Sequence, residues 1–303
     1  MNNLAQRFSS ILPQERLLSD VLMAENTTMR VGGPADLFVS PRSVDEILEV
    51  VHVCQSEGIP LFVLGNGSND IFSDAGFRGV VLHLGKTFSD IICDGQKIEA
   101  KAGAMLSSLS HIAASHSLTG FEFASGIPGS VGGAVYMNAG AYGGEISQIA
   151  ESITVLSEDG TVKELTSKDM CFGYRSSTAM KSGMTILSAT FKLQPGEKKQ
   201  IVSIIEELNA RRRQKQPLNY PSSGSFFKRP VGYYAGALIE QAGLKGYSVG
   251  GAQVSTLHAG FIINTGNAMA SDIYALMKYV QDVVMKQSGV LLEPEVRLVG
   301  SFK

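Results

Sequence analysis

The 303-residue chain has no tryptophan, three cysteines and five histidines, and only 18% of its residues are charged. Each shortage removes a class of function. Cys54, Cys93 and Cys171 are far apart and odd in number, which leaves neither a disulfide framework nor a CxxC pair for metal or redox work. Each reads as a small buried hydrophobe. The histidines form no metal-ligand pattern: His52 falls in an expected helix, His83 in an expected strand, and His111 and His116 are five apart rather than four. With 26 Lys and Arg against 28 Asp and Glu, a net charge of -2 and a pI of about 6.2, there is no broad basic surface to neutralise a run of phosphates. That argues against nucleic acid as a partner. No apolar run approaches the ~18 residues that a membrane span needs. The opening stretch from Met1 to Arg7 lacks the apolar segment and small-residue cleavage site of a signal peptide. The expectation is a cytoplasmic protein without membrane contact, and a monomer by default.

What the chain has in excess is glycine, 33 in 303 residues, against a usual share of roughly 7%. These glycines gather at Gly32-Gly33, Gly65 to Gly67, Gly126 to Gly144 and Gly224. Between the clusters the pattern is mixed. Phe8, Ile11 and Leu12 give a weak helical period before Pro13, expected to form a peripheral helix. Leu37-Phe38-Val39 reads as a strand after the Gly32-Gly33-Pro34 turn. Ser43 and Glu46 have capping-box spacing ahead of a helix with Ile47, Leu48, Val51 and Cys54 on one face and Gly58 as its C-cap. Leu61 to Leu64 is a buried strand that opens into Gly65-Asn66-Gly67-Ser68-Asn69.

Val80 to Leu84 is another strand, and Ile91 to Cys93 with Lys97 to Ala100 reads as a hairpin turning at Asp94-Gly95. A helix follows on Leu106, Leu109, Ile112 and Ala113. From Gly120 to Gly144 no period is visible, and a loop is expected. Strands are expected at Ile153 to Leu156, Val162 to Leu165 and Ile186 to Leu193. From Glu197 a helix carries Ile201, Ile204, Ile205 and Leu208 and ends in Arg211 to Lys215, where cations complement the helix dipole. The remainder adds helices near Tyr234 to Ala242 and through Ile273 to Val284, a strand at Phe261 to Ile263 and a final strand around Val290 to Val299. The whole is α+β in two parts divided near residue 196, the first itself two lobes, about 1–85 and 86–196.

Glycine turns suit phosphate because a chain without Cβ atoms lets backbone N–H groups converge on an anion. Gly65 to Asn69 follows a strand, but G-x-G-x-x-G fails at Asp70, and no P-loop motif occurs. Pro128-Gly129-Ser130-Val131-Gly132-Gly133 and Asn138-Ala139-Gly140-Ala141-Tyr142-Gly143 are further candidates; a tight turn alone would use the same residues. Ser225-Phe226-Phe227-Lys228 matches the S-x-x-K of penicillin-interacting enzymes, but Arg229-Pro230 prevents the helix that motif requires. Pro217, Pro221, Gly224 and Pro230 instead hold Ser225 in a rigid irregular segment. Glu293 and Glu295 are two apart, hence on one face of a regular strand.

In this order, Thr27 to Ala35, Gly65 to Asn69, Gly126 to Ala134, Asn138 to Gly143, Tyr174-Arg175, Gly224 to Lys228 and Leu292 to Val296 resemble the UDP-N-acetylenolpyruvoylglucosamine reductase family, from about residue 20 onward. The glycine loops are shared with flavin oxidases of the vanillyl-alcohol-oxidase type; the later motifs are particular to the reductases. The short spacing from Arg175 to Ser225 matches the subtype without an inserted tyrosine-bearing loop. The resemblance implies a two-lobed FAD-binding domain over 1–196 and a substrate domain over 197–303. It implies non-covalent FAD, NADPH as hydride donor, and conversion of an enolpyruvyl sugar nucleotide to UDP-N-acetylmuramate for peptidoglycan. Arg30, Gly65, Asn66, Gly67, Ser68, Asn69, Pro128, Gly129, Ser130, Gly132, Gly133, Asn138 and Gly140 are carried over to the cofactor. Tyr174, Arg175, Ser225, Lys228 and Glu295 are carried over to the substrate, with Arg175 and Glu295 as an electrostatic clamp and Ser225 as proton donor. Lys228 and Arg229 are candidates for the UDP diphosphate. Met29 and Arg229-Pro230 depart from the family pattern, which more often has an aromatic and Asn-Pro there. A single dinucleotide-type platform implies that NADPH and substrate use it in turn. Two alternatives stand beside this: a flavin oxidase of the same superfamily, for which no histidine lies in the 60–76 or 120–144 loops to tether FAD, and a non-redox nucleotide-binding regulator.

Overall fold

The computed structural model describes residues 3–302. These form two compact units that do not follow chain order. The first takes the chain up to Ser19, Leu37–Asn66 and Gly79–Arg212; the second takes Asp20–Asp36, Gly67–Arg78 and the chain from Arg213. The helix Lys198–Lys215 is grouped with the first unit as far as Arg212, since its Ile201 and Ile205 pack with Ala114 of the helix Leu106–Ser115.

A four-stranded sheet, most of it in the first unit, has the order Leu17–Leu22, Pro34–Val39, Phe77–His83, Leu61–Leu64, the last two parallel with Leu61 opposite Val80 and Leu64 opposite His83. The helix Val44–Ser56 buries Ile47, Val50, Val51 and Cys54 against it. That burial pushes the Cys54 thiol up to about 11, in keeping with an inert core cysteine. The capping box expected here is half made. Ser43 Oγ accepts from the Glu46 N–H at 3.2 Å, but the Glu46 carboxylate accepts instead from Arg16 at 2.6 and 2.7 Å. This pairing holds the carboxyl below its ordinary range. The N-terminal segment is not peripheral either. Its α-helix covers only Asn3–Gln6, and Phe8 and Leu12 are buried in the core with Leu37, Val39 and Val50. Turn residues thus place two large side chains that a peripheral helix would have left half exposed.

The same unit holds an antiparallel sheet in the order Val162–Thr166, Ala150–Leu156, Thr185–Lys192, Lys97–Lys101, Ile91–Asp94. Asp94 pairs with Lys97, so the two-residue loop is Gly95-Gln96, one position later than the sequence suggests, with Gly95 at φ +57°. The 120–144 stretch is not all loop: Val131–Tyr136 is a short helix with Val131, Ala134 and Val135 buried. The apolar spacing is helical, but Gly132 and Gly133 mask it. Gly132 is needed there, because a Cβ would sit 2.9 Å from the Cβ of Ala102.

In the second unit, a three-stranded antiparallel sheet, Ser248–Val249, Ala252–Val254 and Ile262–Asn264, packs with the helices Ala235–Gln241 and Ala270–Ser288. Asp74 accepts from the Ala270 and Ser271 N–H groups at 2.7 and 2.9 Å and so caps the longer helix, which ends at Gly289 with φ +70°. The final strand is shorter than expected. Only Arg297–Val299 is regular, parallel to Asp70–Phe72, because Pro294 lacks an N–H and leaves a single bridge to Phe227 upstream.

Candidate active site

The first glycine loop leaves the strand Leu61–Leu64 at Gly65. A Cβ on Gly65 would lie 2.4 Å from Ser130 Oγ, so the absent side chain lets two loops of the first unit meet. The Asn66 side chain ties them by donating to the Pro128 carbonyl at 2.8 Å. The half-buried His83 imidazole hydrogen-bonds the Gly65 backbone, and desolvation lowers its pKa below the ordinary value. In the second unit, Gly67 is at φ +59°, and a Cβ there would meet the Asn26 carbonyl oxygen at 2.2 Å. The Thr28 N–H donates to the Gly67 carbonyl at 3.0 Å.

Two observations bear on what this loop can hold. Among the described residues, the backbone N–H groups of Asn66, Gly67 and Ser68 donate no hydrogen bond. Ser130 Oγ is buried without a partner, although Ser130 sits in the N-cap position of Val131–Tyr136. Donors and a hydroxyl in that condition fit a cofactor diphosphate, which accepts many hydrogen bonds and needs little basic surface. Other amides assigned to the cofactor are engaged internally: Gly129 N–H donates to Ile127 and Gly132 N–H to Ala102. Gly133 is exposed, with its nearest neighbour for a Cβ 3.9 Å away.

Asn138 is buried at φ +48°, and both ends of its side chain are used. Its Oδ1 accepts from the Ser147 N–H at 2.9 Å, and its Nδ2 donates to the Gly173 carbonyl at 3.1 Å. The second bond holds the turn that displays Tyr174 and Arg175, closed by reciprocal hydrogen bonds between Gly173 and Ser176. Arg175 is at φ +51°, a left-handed conformation costly for a residue other than glycine and frequent at functional sites. Its guanidinium lies 5.1 Å from the Tyr174 ring centroid, and Nη2 donates to the Gly140 carbonyl at 3.5 Å. Tyr174 itself is exposed.

In the second unit Ser225 is exposed between Gly224, at φ +72°, and Phe226, which is fully buried. The Phe226 N–H donates to the Gly260 carbonyl at 2.8 Å, and the Phe226 carbonyl accepts from Glu295 N–H at 2.9 Å. No helix forms at Ser225 to Lys228, as Arg229-Pro230 requires. Glu295 is half-buried, and its carbonyl accepts from Asn69 Nδ2 at 2.9 Å. Glu293 is different: it is exposed and pairs with Lys228 Nζ at 3.4 Å. The two carboxylates therefore do not share one environment, because the bridge at Pro294 is not part of a regular pleat. Arg229 stacks over the Tyr234 ring at 4.6 Å.

Arg30 is exposed at φ +57°, and its carbonyl accepts from Asn264 Nδ2 at 3.4 Å. Asn264 also donates to Met29, which is fully buried in the core. Asn264 thus sets the Arg30 backbone from 234 residues away. No local signal in the sequence marks it.

A family model described as "FAD binding domain" matches residues 35–166, and one described as "UDP-N-acetylenolpyruvoylglucosamine reductase, C-terminal domain" matches residues 216–299. A UDP-N-acetylenolpyruvoylglucosamine reductase of Caldanaerobacter subterraneus subsp. tengcongensis is 48% identical, over 98% of this chain and 98% of its own. One from Clostridium botulinum is also 48% identical, over 97% and 96%. The crystal structure of the reductase from Thermus caldophilus superposes with a TM-score of 0.82 at 33% identity, covering 94% of this chain and 99% of that one. At the level of fold alone, alkyldihydroxyacetonephosphate synthase matches 64% of this chain with a TM-score of 0.51 at 14% identity. Among the described residues no helix is long and apolar enough to cross a membrane, and no cluster of metal-ligating side chains occurs. Whole-length identity, both family domains in sequence and glycine loops with undonated amides agree: the chain belongs to the FAD-dependent UDP-N-acetylenolpyruvoylglucosamine reductases.

Proposed function

We propose that Arg175, Ser225 and Glu295 carry out, with FAD as cofactor and NADPH as hydride donor, the reduction of the enolpyruvyl ether of UDP-N-acetylglucosamine to its lactyl ether, UDP-N-acetylmuramate. FAD, when bound, would supply the two-electron chemistry that links NADPH oxidation to reduction of the vinyl group. Everything else falls to side chains. As the β-carbon gains hydride, negative charge develops on the α-carbon and the attached carboxylate. A guanidinium with hydrogen-bond donors in a fixed fork suits that carboxylate, and Arg175 is the residue displayed on a strained, braced turn. Ser225 Oγ–H donates the proton to the α-carbon, so that one hydride and one proton add across the double bond. Glu295 completes the clamp by hydrogen bonding to the developing enolate. Lys228 and Arg229 serve the diphosphate of the sugar nucleotide, and Tyr174 a neighbouring part of it.

The observation that carries this reading is the setting of Ser225: an exposed hydroxyl on a segment fixed by Gly224 at positive φ and by the buried Phe226. A binding module has no need of a serine held in that way. On the loop side, Gly65, Asn66, Gly67, Ser68 and Asn69 with Ser130 hold the FAD diphosphate, and Arg30 and Gly140 lie on loops assigned to the same cofactor.

NADPH and the sugar nucleotide are both large nucleotides, and they occupy the same place in turn. Initial-rate measurements against both should then give parallel double-reciprocal lines, the ping-pong pattern. Intersecting lines would mean that both bind together and would overturn the shared site.

A further inference from the structure

Arg175 lies in the left-handed region at φ +51°, and Asn138, in the same unit, lies there at +48°. Backbone of this kind persists only where its surroundings over-determine it. The residues two before and two after Arg175 supply that constraint. Gly173 accepts from Asn138 Nδ2 at 3.1 Å through its carbonyl. Ser177 is fully buried, and its Oγ–H donates to the Tyr136 carbonyl at 2.6 Å. Between these anchors Gly173 and Ser176 exchange backbone hydrogen bonds of 3.0 and 3.2 Å, and Arg175 Nη2 reaches the Gly140 carbonyl.

Both anchors reach one short stretch, Tyr136 to Asn138, where the helix Val131–Tyr136 ends. The same helix starts directly after Ser130, on the loop that meets Gly65. A single six-residue element thus ties the brace of Arg175 to the cofactor loop. The two bracing side chains are committed to this task. Asn138 is 1% exposed, and its Oδ1 accepts from the Ser147 N–H at 2.9 Å. Ser177 Oγ also accepts from the Met180 N–H at 3.2 Å, capping the helix Thr178–Lys181. Capping uses only its lone pairs, so its proton is what fixes the segment to Tyr136. All of these residues lie in the first unit.

We infer that Ser177 and Asn138 are positioning residues for reduction of the enolpyruvyl group, holding the Arg175 guanidinium where the carboxylate charge develops. This rests on the role of Arg175 given above. It also moves Asn138 from the cofactor, where the resemblance places it, to the substrate step. NADPH presents no such carboxylate, so the two side chains matter for one half-reaction and not for the other.

The test compares FAD-loaded wild type, Ser177→Ala, Asn138→Asp, Thr178→Val, Arg175→Ala and the double variant Ser177→Ala with Arg175→Ala. Stopped flow follows reduction of the flavin by NADPH and its anaerobic reoxidation by the enolpyruvyl sugar nucleotide. Ser177→Ala deletes the donor to Tyr136; Asn138→Asp keeps the shape and the acceptor for Ser147 but deletes the donor to Gly173. Each should slow reoxidation at saturating substrate about 10- to 100-fold, the scale for a reacting group displaced by about 1 Å. FAD content and the rate of flavin reduction should match wild type, which also shows that the variants are folded. Thr178→Val removes a 2.8 Å bond to the Asp169 carbonyl from the same short helix and should leave both half-reactions as in wild type. Once Arg175 is alanine, Ser177→Ala should slow reoxidation no further, because residues that act through one another are not additive. Wild-type reoxidation in either Ser177→Ala or Asn138→Asp would overturn the inference. So would equal losses in both half-reactions, a loss in Thr178→Val as large as theirs, or a loss that adds in full to that of Arg175→Ala. Failure of both variants to take up FAD would overturn it too, since the two side chains would then be supports of the whole unit. Fast reoxidation in Arg175→Ala would overturn the role of Arg175 itself.

Discussion

Replacing Ser225 with alanine should slow reduction of the enolpyruvyl sugar nucleotide by about 10²- to 10⁴-fold, the usual contribution of a positioned general acid. FAD content and the rate at which NADPH bleaches the bound flavin should stay near wild type. The separation follows from location. Ser225 is an exposed residue on an irregular segment whose fold is set by its neighbours, Gly224 and the buried Phe226. Its hydroxyl contributes nothing to the core, so alanine leaves the backbone path unchanged. Stopped-flow measurement of the two half-reactions reads the effect directly. Near-normal flavin reoxidation by the sugar nucleotide in this variant would remove Ser225 from the mechanism.

The second large effect separates two carboxylates that the sequence places side by side. Glu295→Gln should lower turnover by about 10²- to 10³-fold, the scale for removing one stabilising group from a developing oxyanion. Glu293→Gln should change turnover only a few-fold and act mainly on KM. Glu293 is exposed, and its partner is Lys228 at 3.4 Å, an ion pair of the kind worth about 0–1 kcal/mol. Glu295 is half-buried, and its backbone is fixed on both sides, by Phe226 through its N–H and by Asn69 through its carbonyl. Comparing kcat and KM for the two variants checks the assignment. Equal losses of kcat would contradict it.

The sequence shows the elements with strong periodicity well. The helices Val44–Ser56, Leu106–Ser115 and Ala270–Ser288, and the antiparallel strands flanking Asp159-Gly160, fall where the apolar spacing puts them. It misleads where one residue answers to a distant partner. Glu46 has the spacing to close a capping box, but Arg16 takes its carboxylate; Phe8 and Leu12 look peripheral until the helix Val44–Ser56 and its sheet are there to bury them. Glycine has the opposite effect, hiding the helix Val131–Tyr136 within a stretch that shows no period.

The site is legible in a similar way. The loops can be found from glycine clustering and the resemblance together, because backbone donors leave a compositional trace. What holds them cannot be found so. Asn138 looks like a cofactor ligand in the sequence, yet its side chain braces Ser147 and the Gly173 turn; Asn264 supports Met29 and Arg30 through a contact that no local pattern announces. Arg212 shares its run with Arg211, but Arg211 pairs with Glu207 while Arg212 packs against Gly126, a difference that tertiary packing alone makes.

An anaerobic titration of the purified protein tests the flavin-reductase chemistry most directly. NADPH should bleach one equivalent of bound flavin absorbance, and one equivalent of the enolpyruvyl sugar nucleotide, added without oxygen, should restore it. Flavin that stays bleached until air is admitted would contradict the account and assign the chain to oxygen instead.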